Sequence, residues 1–269
     1  MFRSARLFNS KNRRTPLQMT PLRLPGQSAE EHIRSLQDKW TDFFVRASCL
    51  VMLALYEWWR WLFSIPSNPP VLTIVAIVAI LATWRRRRAY KAEINNLRLG
   101  RDGERTVGEV LDLLREKGYR VFHDILGPNF NIDHVLVGSA GIFTIETKTR
   151  SKPLHADPKI FYDGQAIRIE NEHPFDEPLI QARAQARWLT MVLNDGRAIP
   201  FTVRPVVVFP GWFIERIGSK SNCDVWVLNP KALGAFLANE PRILTPALID
   251  SAASVLTQRG RHPITQQSA

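Results

Sequence analysis

Hydrophobic residues fall into two regimes along this chain. Between residues 43 and 84 they come in long runs, and from Asn95 onward in short periodic blocks. The run 71–84 (VLTIVAIVAILATW) ends a stretch with no charged residue between Trp61 and Trp84. Its 14 residues would rise only about 21 Å as a helix, against a hydrocarbon core of roughly 30 Å, so part of the preceding IPSNPP segment would sit at the interface. The earlier run, 43–63, is interrupted by Arg46, Glu57 and Arg60. Glu57 and Arg60 are three apart and can pair on a helix, although a spanning helix wants apolar residues there. Two apolar runs around an uncharged SIPSNPP turn predict a helical hairpin in a membrane, with a single span or two buried core helices as the other arrangements.

After Asn95 the period shortens. Val107, Val110, Leu111 and Leu114 at i, i+3, i+4, i+7 predict an amphipathic helix over 103–117, ended by Gly118. Strand-like runs follow at 119–125, 132–137 and 142–149, then a small hairpin over 161–169 with Asp163-Gly164 at its centre. Pro178 opens a helix running to about Asn194, and Asp195-Gly196 closes it. A strand at 203–209 contains Pro205, which is awkward for an interior position. A short strand at 225–228 and helices near 230–238 and 245–258 complete the pattern. The fold class expected is α/β: a core of helix, three strands, helix and strand, preceded by N-terminal membrane helices. The expected organisation is a basic, disordered tail over 1–40, a membrane segment over 41–88, and an α/β domain over 95–269. Its core lies at about 97–210, with C-terminal elements over 211–260.

Charge sharpens this division. The chain has 269 residues and a formal net charge of +11. Residues 1–95 carry 15 Lys and Arg against 6 Asp and Glu, a net of +9, whereas the remaining 174 carry 21 against 19, a net of +2. The basic character therefore belongs to the membrane-proximal third, where an anionic bilayer is as good a partner as nucleic acid. Five of the eight tryptophans fall between residues 40 and 84, as in an interfacial aromatic belt. The Arg85-Arg86-Arg87-Arg88 block lies on the cytoplasmic side by the positive-inside rule. The expected location is a membrane, the inner membrane of a bacterium, with the α/β domain facing the cytoplasm.

Two cysteines exclude a disulfide framework and a cysteine zinc site, and six scattered histidines show no ligand spacing. Carboxylates are left as metal ligands, which points to a hard cation, Mg²⁺ or Mn²⁺. Asp133 on one strand, and Glu146 and Lys148 on the next, form the candidate site. Residues two apart on a strand share a face, so Glu146 and Lys148 project together. Phosphodiester hydrolysis needs an activated water, neutralised phosphate charge and help for the leaving oxygen, and carboxylate-held Mg²⁺ can supply all three. Asp133 and Glu146 are the natural ligands, with Lys148 placed to orient water or stabilise charge. Glu104 falls on the apolar stripe of its helix and is a third candidate ligand; an acid in a first helical turn, favoured by the dipole, is the plainer explanation. Asp157-Pro158-Lys159 repeats the spacing but places proline where an interior strand would not tolerate it. His134, beside Asp133, is read as structural, and His123, Asp124 and Asn131 as candidates for the rim. No phosphate-binding glycine loop is present, because Gly100-Arg-Asp-Gly103 lacks the Lys-Ser/Thr ending and follows no strand.

These residues resemble a family. Gly100-Arg-Asp-Gly103-Glu104, Asn131-Ile-Asp-His-Val, Gly141-Ile-Phe-Thr-Ile-Glu-Thr-Lys148 and Pro178-Leu-Ile-Gln181 resemble the NERD, or nuclease-related, domain of the PD-(D/E)xK superfamily over about residues 97–210. The resemblance implies a Mg²⁺-dependent nuclease-like site built from Glu104, Asp133, Glu146 and Lys148, with Gln181 as an accessory group. Gln185, one turn further on, is expected at the surface. Ile132 stands where the superfamily's name has proline. Two functions follow: a membrane-anchored nuclease acting on DNA ahead of RNA, or a catalytically silent module that binds nucleic acid or a protein partner at the membrane.

Overall fold

The computed structural model describes residues 22–152, 157–170, 172–196, 200–218 and 223–261. The tail before residue 22 lies outside the described residues. Two long antiparallel helices, α1 (Gln27–Leu62) and α2 (Pro69–Asp112), open the fold. Residues 27–40, expected as tail, are helical. Ile33 and Leu36, three apart, are buried there, and Glu30 pairs with Arg101 of α2 at 2.7 Å. The amphipathic stretch has found a partner in the polar half of α2, which a disordered tail would lack.

The second correction concerns α2. The apolar run, the arginine block and the helix expected over 103–117 are one continuous helix of 44 residues. The polar stretch 85–99 hid this because it has no apolar period, yet it contains no proline or glycine to stop a helix. The helix tightens into a 3₁₀ turn at Leu113–Lys117 and ends, as expected, at Gly118, whose φ of 85° suits glycine.

Glu57 and Arg60 turn out to close the hairpin tip. They pair at 2.8 Å, Arg60 Nη2 donates to the Pro66 carbonyl at 2.6 Å, and Asn68 N–H donates to Glu57 Oε2 at 3.1 Å. Among the described residues only α2 is long and apolar enough to cross a membrane, with a window of mean hydropathy 1.4 that is 11% buried. A core helix of a soluble protein would be mostly buried. Of the two spanning helices expected, with a single span as the alternative, one has the length and apolarity to span among the described residues.

The main sheet contains β1 (Arg120–Leu126), β2 (Asn131–Gly138), β3 (Gly141–Thr147), β6 (Val203–Val208) and β8 (Trp226–Leu228), in that spatial order. The first three form an antiparallel meander; β6 runs parallel to β3 and β8 parallel to β6. The right-handed α/β crossover rule makes α3 (Glu177–Asn194) the natural link between β3 and β6. Pro205 is tolerated because β8 pairs with β6 only from Val206 onward, which leaves an open edge at the proline. A second sheet, β5 (Ile167–Ile169), β4 (Ile160–Tyr162) and β7 (Ile214–Arg216), flanks it.

Helices cover both faces. Val107 and Leu111 of α2 join Leu136, Phe143, Ile145 and Val206 on one side, together with Leu233 and Leu237 of α4 (Leu233–Ala238). Leu189 and Leu193 of α3 join Val135, Val137 and Ile142 on the other, together with Ala252 and Leu256 of α5 (Pro246–Arg261). Leu111 is fully buried, and burial of such a side chain stabilises by roughly 1.5–3 kcal/mol. These two layers hold the ends of β2 and β3 between α2 and α3.

Candidate active site

The site forms where β2 and β3 part. Their ladder ends at the His134–Ile145 pair, and the next β3 donor, Thr147 N–H, goes to Asp133 Oδ2 at 2.7 Å. The carboxylate thus replaces a strand carbonyl. It is nearly buried, and its pKa is pushed well above the usual carboxylate range by burial first and then by Glu146 and Glu104; the Thr147 N–H and Lys148 oppose this.

Glu146 and Lys148 share a face, as the strand period requires, and that face meets α3. Lys148 Nζ lies 2.7 Å from Glu146 Oε1 and donates to Gln181 Oε1 at 2.8 Å. Gln185 Nε2 donates to Glu146 Oε2 at 2.6 Å and to the Asn131 carbonyl at 3.1 Å. Gln185, expected at the surface, is therefore a buried member of the site. A signal was present, because residues four apart share a helix face, so a helix presenting Gln181 to Lys148 must aim Gln185 the same way.

Glu104 approaches from α2, across the sheet. Gly103 makes this possible: a Cβ there would collide with Oγ1 of Thr149, just past the end of β3. Glu104 accepts a hydrogen bond from Gly26 N–H, and its Oε2 is buried without a partner. Burial, then Asp124 and Glu146, push its pKa up to about 7. The first-turn explanation does not apply, since Glu104 lies deep inside α2.

The rim candidates have other roles. Asp124, fully buried at a backbone φ of 51°, accepts from Arg23 Nε at 2.7 Å, Ser28 Oγ at 2.7 Å, Ser28 N–H at 2.9 Å and Asn131 Nδ2 at 2.9 Å. It anchors the segment before α1 beside the site. Arg23 and Ser28, some 100 residues upstream, carry no local signal of this. His134 and His123 face each other with Nδ1 atoms 2.9 Å apart, and burial holds both below the usual imidazole range. Lys159 pairs with Glu215 at 3.0 Å and Asp157 with Lys152, which leaves the rival acid-lysine pair outside the site. A cleft of about 700 Å³ opens at Lys148, lined also by Arg150, His173 and Phe175.

Among the described residues no three His, Cys, Asp and Glu side chains are gathered closely enough to hold an ion as they stand. The chemistry of the donors nevertheless fits a hard divalent cation. Burial and then neighbouring carboxylates raise the pKa of Glu104 and of Asp133, and one buried carboxylate oxygen of Glu104 lacks any donor. A cation would remove both costs.

Helix, meander, helix and parallel strand form a mixed α/β fold with two acids and a lysine where the meander splays, consistent with the PD-(D/E)xK arrangement. Residues 99–210 match the model of the NERD, or nuclease-related domain, family. No curated protein and no solved structure matched the chain.

Proposed function

We propose that the chain is a membrane-anchored, metal-dependent nuclease that hydrolyses phosphodiester bonds, of DNA ahead of RNA, on the cytoplasmic side of a bacterial inner membrane. The observation that carries the reading is the junction of Glu146, Lys148, Gln181 and Gln185 beside Asp133, with Glu104 brought up from α2. Glu104, Asp133 and Glu146 would hold Mg²⁺ or Mn²⁺, which when bound neutralises phosphate charge and lowers the pKa of a water. Thr147 N–H fixes Asp133, and the Gln185 amide fixes Glu146, so neither carboxylate must reorganise when substrate arrives. Gln181 holds the Lys148 ammonium at the mouth of the cleft, where it can meet a phosphate oxygen. Glu104 lies sixteen residues beyond Arg88 on one helix, about 24 Å along its axis. That distance supports a site standing clear of the bilayer and open to a polymer.

One observation favours the silent module: both oxygens of Glu146 already have partners. The two readings separate in a single experiment. The full chain, purified in mild detergent, is incubated with plasmid, single-stranded DNA and RNA in Mg²⁺, Mn²⁺ or chelator. Metal-dependent cleavage abolished by Glu146→Gln and by Lys148→Met is expected. Equal residual activity in wild type and Glu146→Gln across all metals and substrates would establish the silent module.

A further inference from the structure

Where α1 and α2 leave the apolar zone, a groove of about 480 Å³ opens between them. Its wall is apolar along Phe44, Val51, Met52 and Ile80, and it ends at Trp40 and Arg87. The chemistry changes sharply at that end. None of Arg85, Arg86, Arg87 and Arg88 pairs with a carboxylate among the described residues. Three of them lie over aromatic rings instead: Arg86 on Phe43 at 4.2 Å, Arg87 on Trp40 at 5.8 Å and Arg88 on Trp84 at 4.0 Å. A cation on an aromatic face keeps its N–H fork free for a planar or tetrahedral anion. Trp40 itself stacks on Phe44 with ring centroids 5.5 Å apart, so the cationic end of the groove is walled by aromatic rings.

We infer that this groove is a binding site for one anionic glycerophospholipid. Its acyl chain lies along the groove wall, and its phosphate accepts from Arg87, whose guanidinium sits over the Trp40 ring. The polarity gradient of the groove matches that of a lipid: apolar body, aromatic collar, cationic mouth. The site also lies at the base of the helix that carries Glu104, so the lipid would fix the hairpin at the point where it emerges from the membrane.

The inference rests on the membrane reading, and the test separates the two. The full chain is floated with phosphatidylcholine liposomes and with liposomes containing phosphatidylglycerol. Lipid retained on protein released from mild detergent is then counted by native mass spectrometry, using phosphatidylglycerol and phosphatidylcholine of matched acyl chains. Flotation with both liposomes is expected, together with one phosphatidylglycerol retained in preference to phosphatidylcholine. Arg87→Gln should reduce that retention about tenfold, the loss of one charge-assisted bond of about 1.4 kcal/mol or more. Ala47→Phe, which fills the groove, should abolish it, and Arg85→Gln, outside the groove, should leave it unchanged. Failure to float with either liposome overturns the membrane reading and this site with it. Flotation with equal retention of the two lipids, unchanged retention in Arg87→Gln, or a dimer retaining no lipid overturns the site alone.

Discussion

Replacing Glu104 by glutamine should make the protein more stable and less active, and the gain in stability should depend on pH. A free glutamate titrates at 4.5, and Glu104 in the fold at about 7, chiefly through burial and then through Asp124 and Glu146. Below pH 4.5 both states are protonated and the group is neutral to stability. Between those values the native state keeps a proton that the unfolded chain has released, so stability falls as pH rises. Above pH 7 both are ionised and the full cost is present. At about 1.4 kcal/mol per pH unit the gap amounts to a ceiling of about 3 kcal/mol. For a domain of this size that corresponds to a rise in Tm of roughly 6–12 °C. Thermal unfolding of full-length wild type and Glu104→Gln in chelator should coincide near pH 4.5 and separate by several degrees near pH 8. Added Mg²⁺ should close the difference, because a cation relieves the repulsion that the substitution removes. A Tm difference identical at both pH values would refute the electrostatic reasoning. A Mg²⁺ shift equal in the two proteins would refute Glu104 as a ligand.

Gln185→Leu should lower nuclease activity at least tenfold, since it frees Glu146 and leaves the Asn131 carbonyl without that donor; activity equal to wild type removes Gln185 from the site. Gly103→Val should destabilise by about 1–3 kcal/mol, as overpacking against Thr149 demands, and should reduce activity by carrying Glu104 off the sheet. His134→Leu strands the Nδ1 of His123 and should cost about 1–3 kcal/mol near pH 8. Because both imidazoles titrate below their usual value, wild-type stability contributed by the pair is present above about pH 6.5 and is lost as pH falls. The His134→Leu deficit should therefore shrink toward pH 5, which a denaturant series at several pH values would check.

The elements of the α/β domain were legible because each has its own period and its own punctuation. Gly118 ended a helix, Asp163-Gly164 centred a hairpin, and Pro178 opened α3, all from local chemistry. That Asp133, Glu146 and Lys148 come together at the end of β2 and β3 was legible for the same reason, since strand alternation alone forces the last two together. What the sequence concealed was non-local. Nothing in the polar stretch 85–99 signals that the apolar helix and the helix carrying Glu104 are one rod, because continuity of a helix is the absence of a breaker rather than the presence of a pattern. Gln185 was concealed by treating two glutamines one turn apart as having different fates. Asp124 looked like a rim residue because its partners, Arg23 and Ser28, lie on a segment with no apolar period of its own.

That segment changes which part of the chain can be expected to act alone. Arg23 and Ser28 are bonded to a fully buried Asp124, and Gly26 N–H is bonded to Glu104, so residues 23–28 complete the surroundings of the candidate site from before the helical hairpin. A fragment beginning at residue 95 retains all of residues 99–210 that match the nuclease-related model, yet it cuts α2 in its polar half and strips all three of those contacts. Removing one partner of a buried ion pair costs about 3–5 kcal/mol because the remaining charge stays buried and uncompensated, and Asp124 loses its arginine in this way. Asn131, which also bonds Asp124, gives its carbonyl to Gln185, so the disturbance has a short route to Glu146. The fragment should therefore unfold well below the full chain and cleave more slowly, and Asp124→Asn should recover part of its stability by removing the stranded charge. Equal melting of fragment and full chain would mean that the segment before α1 only rests against the domain. Unequal melting without recovery in Asp124→Asn would place the loss in the severed α2.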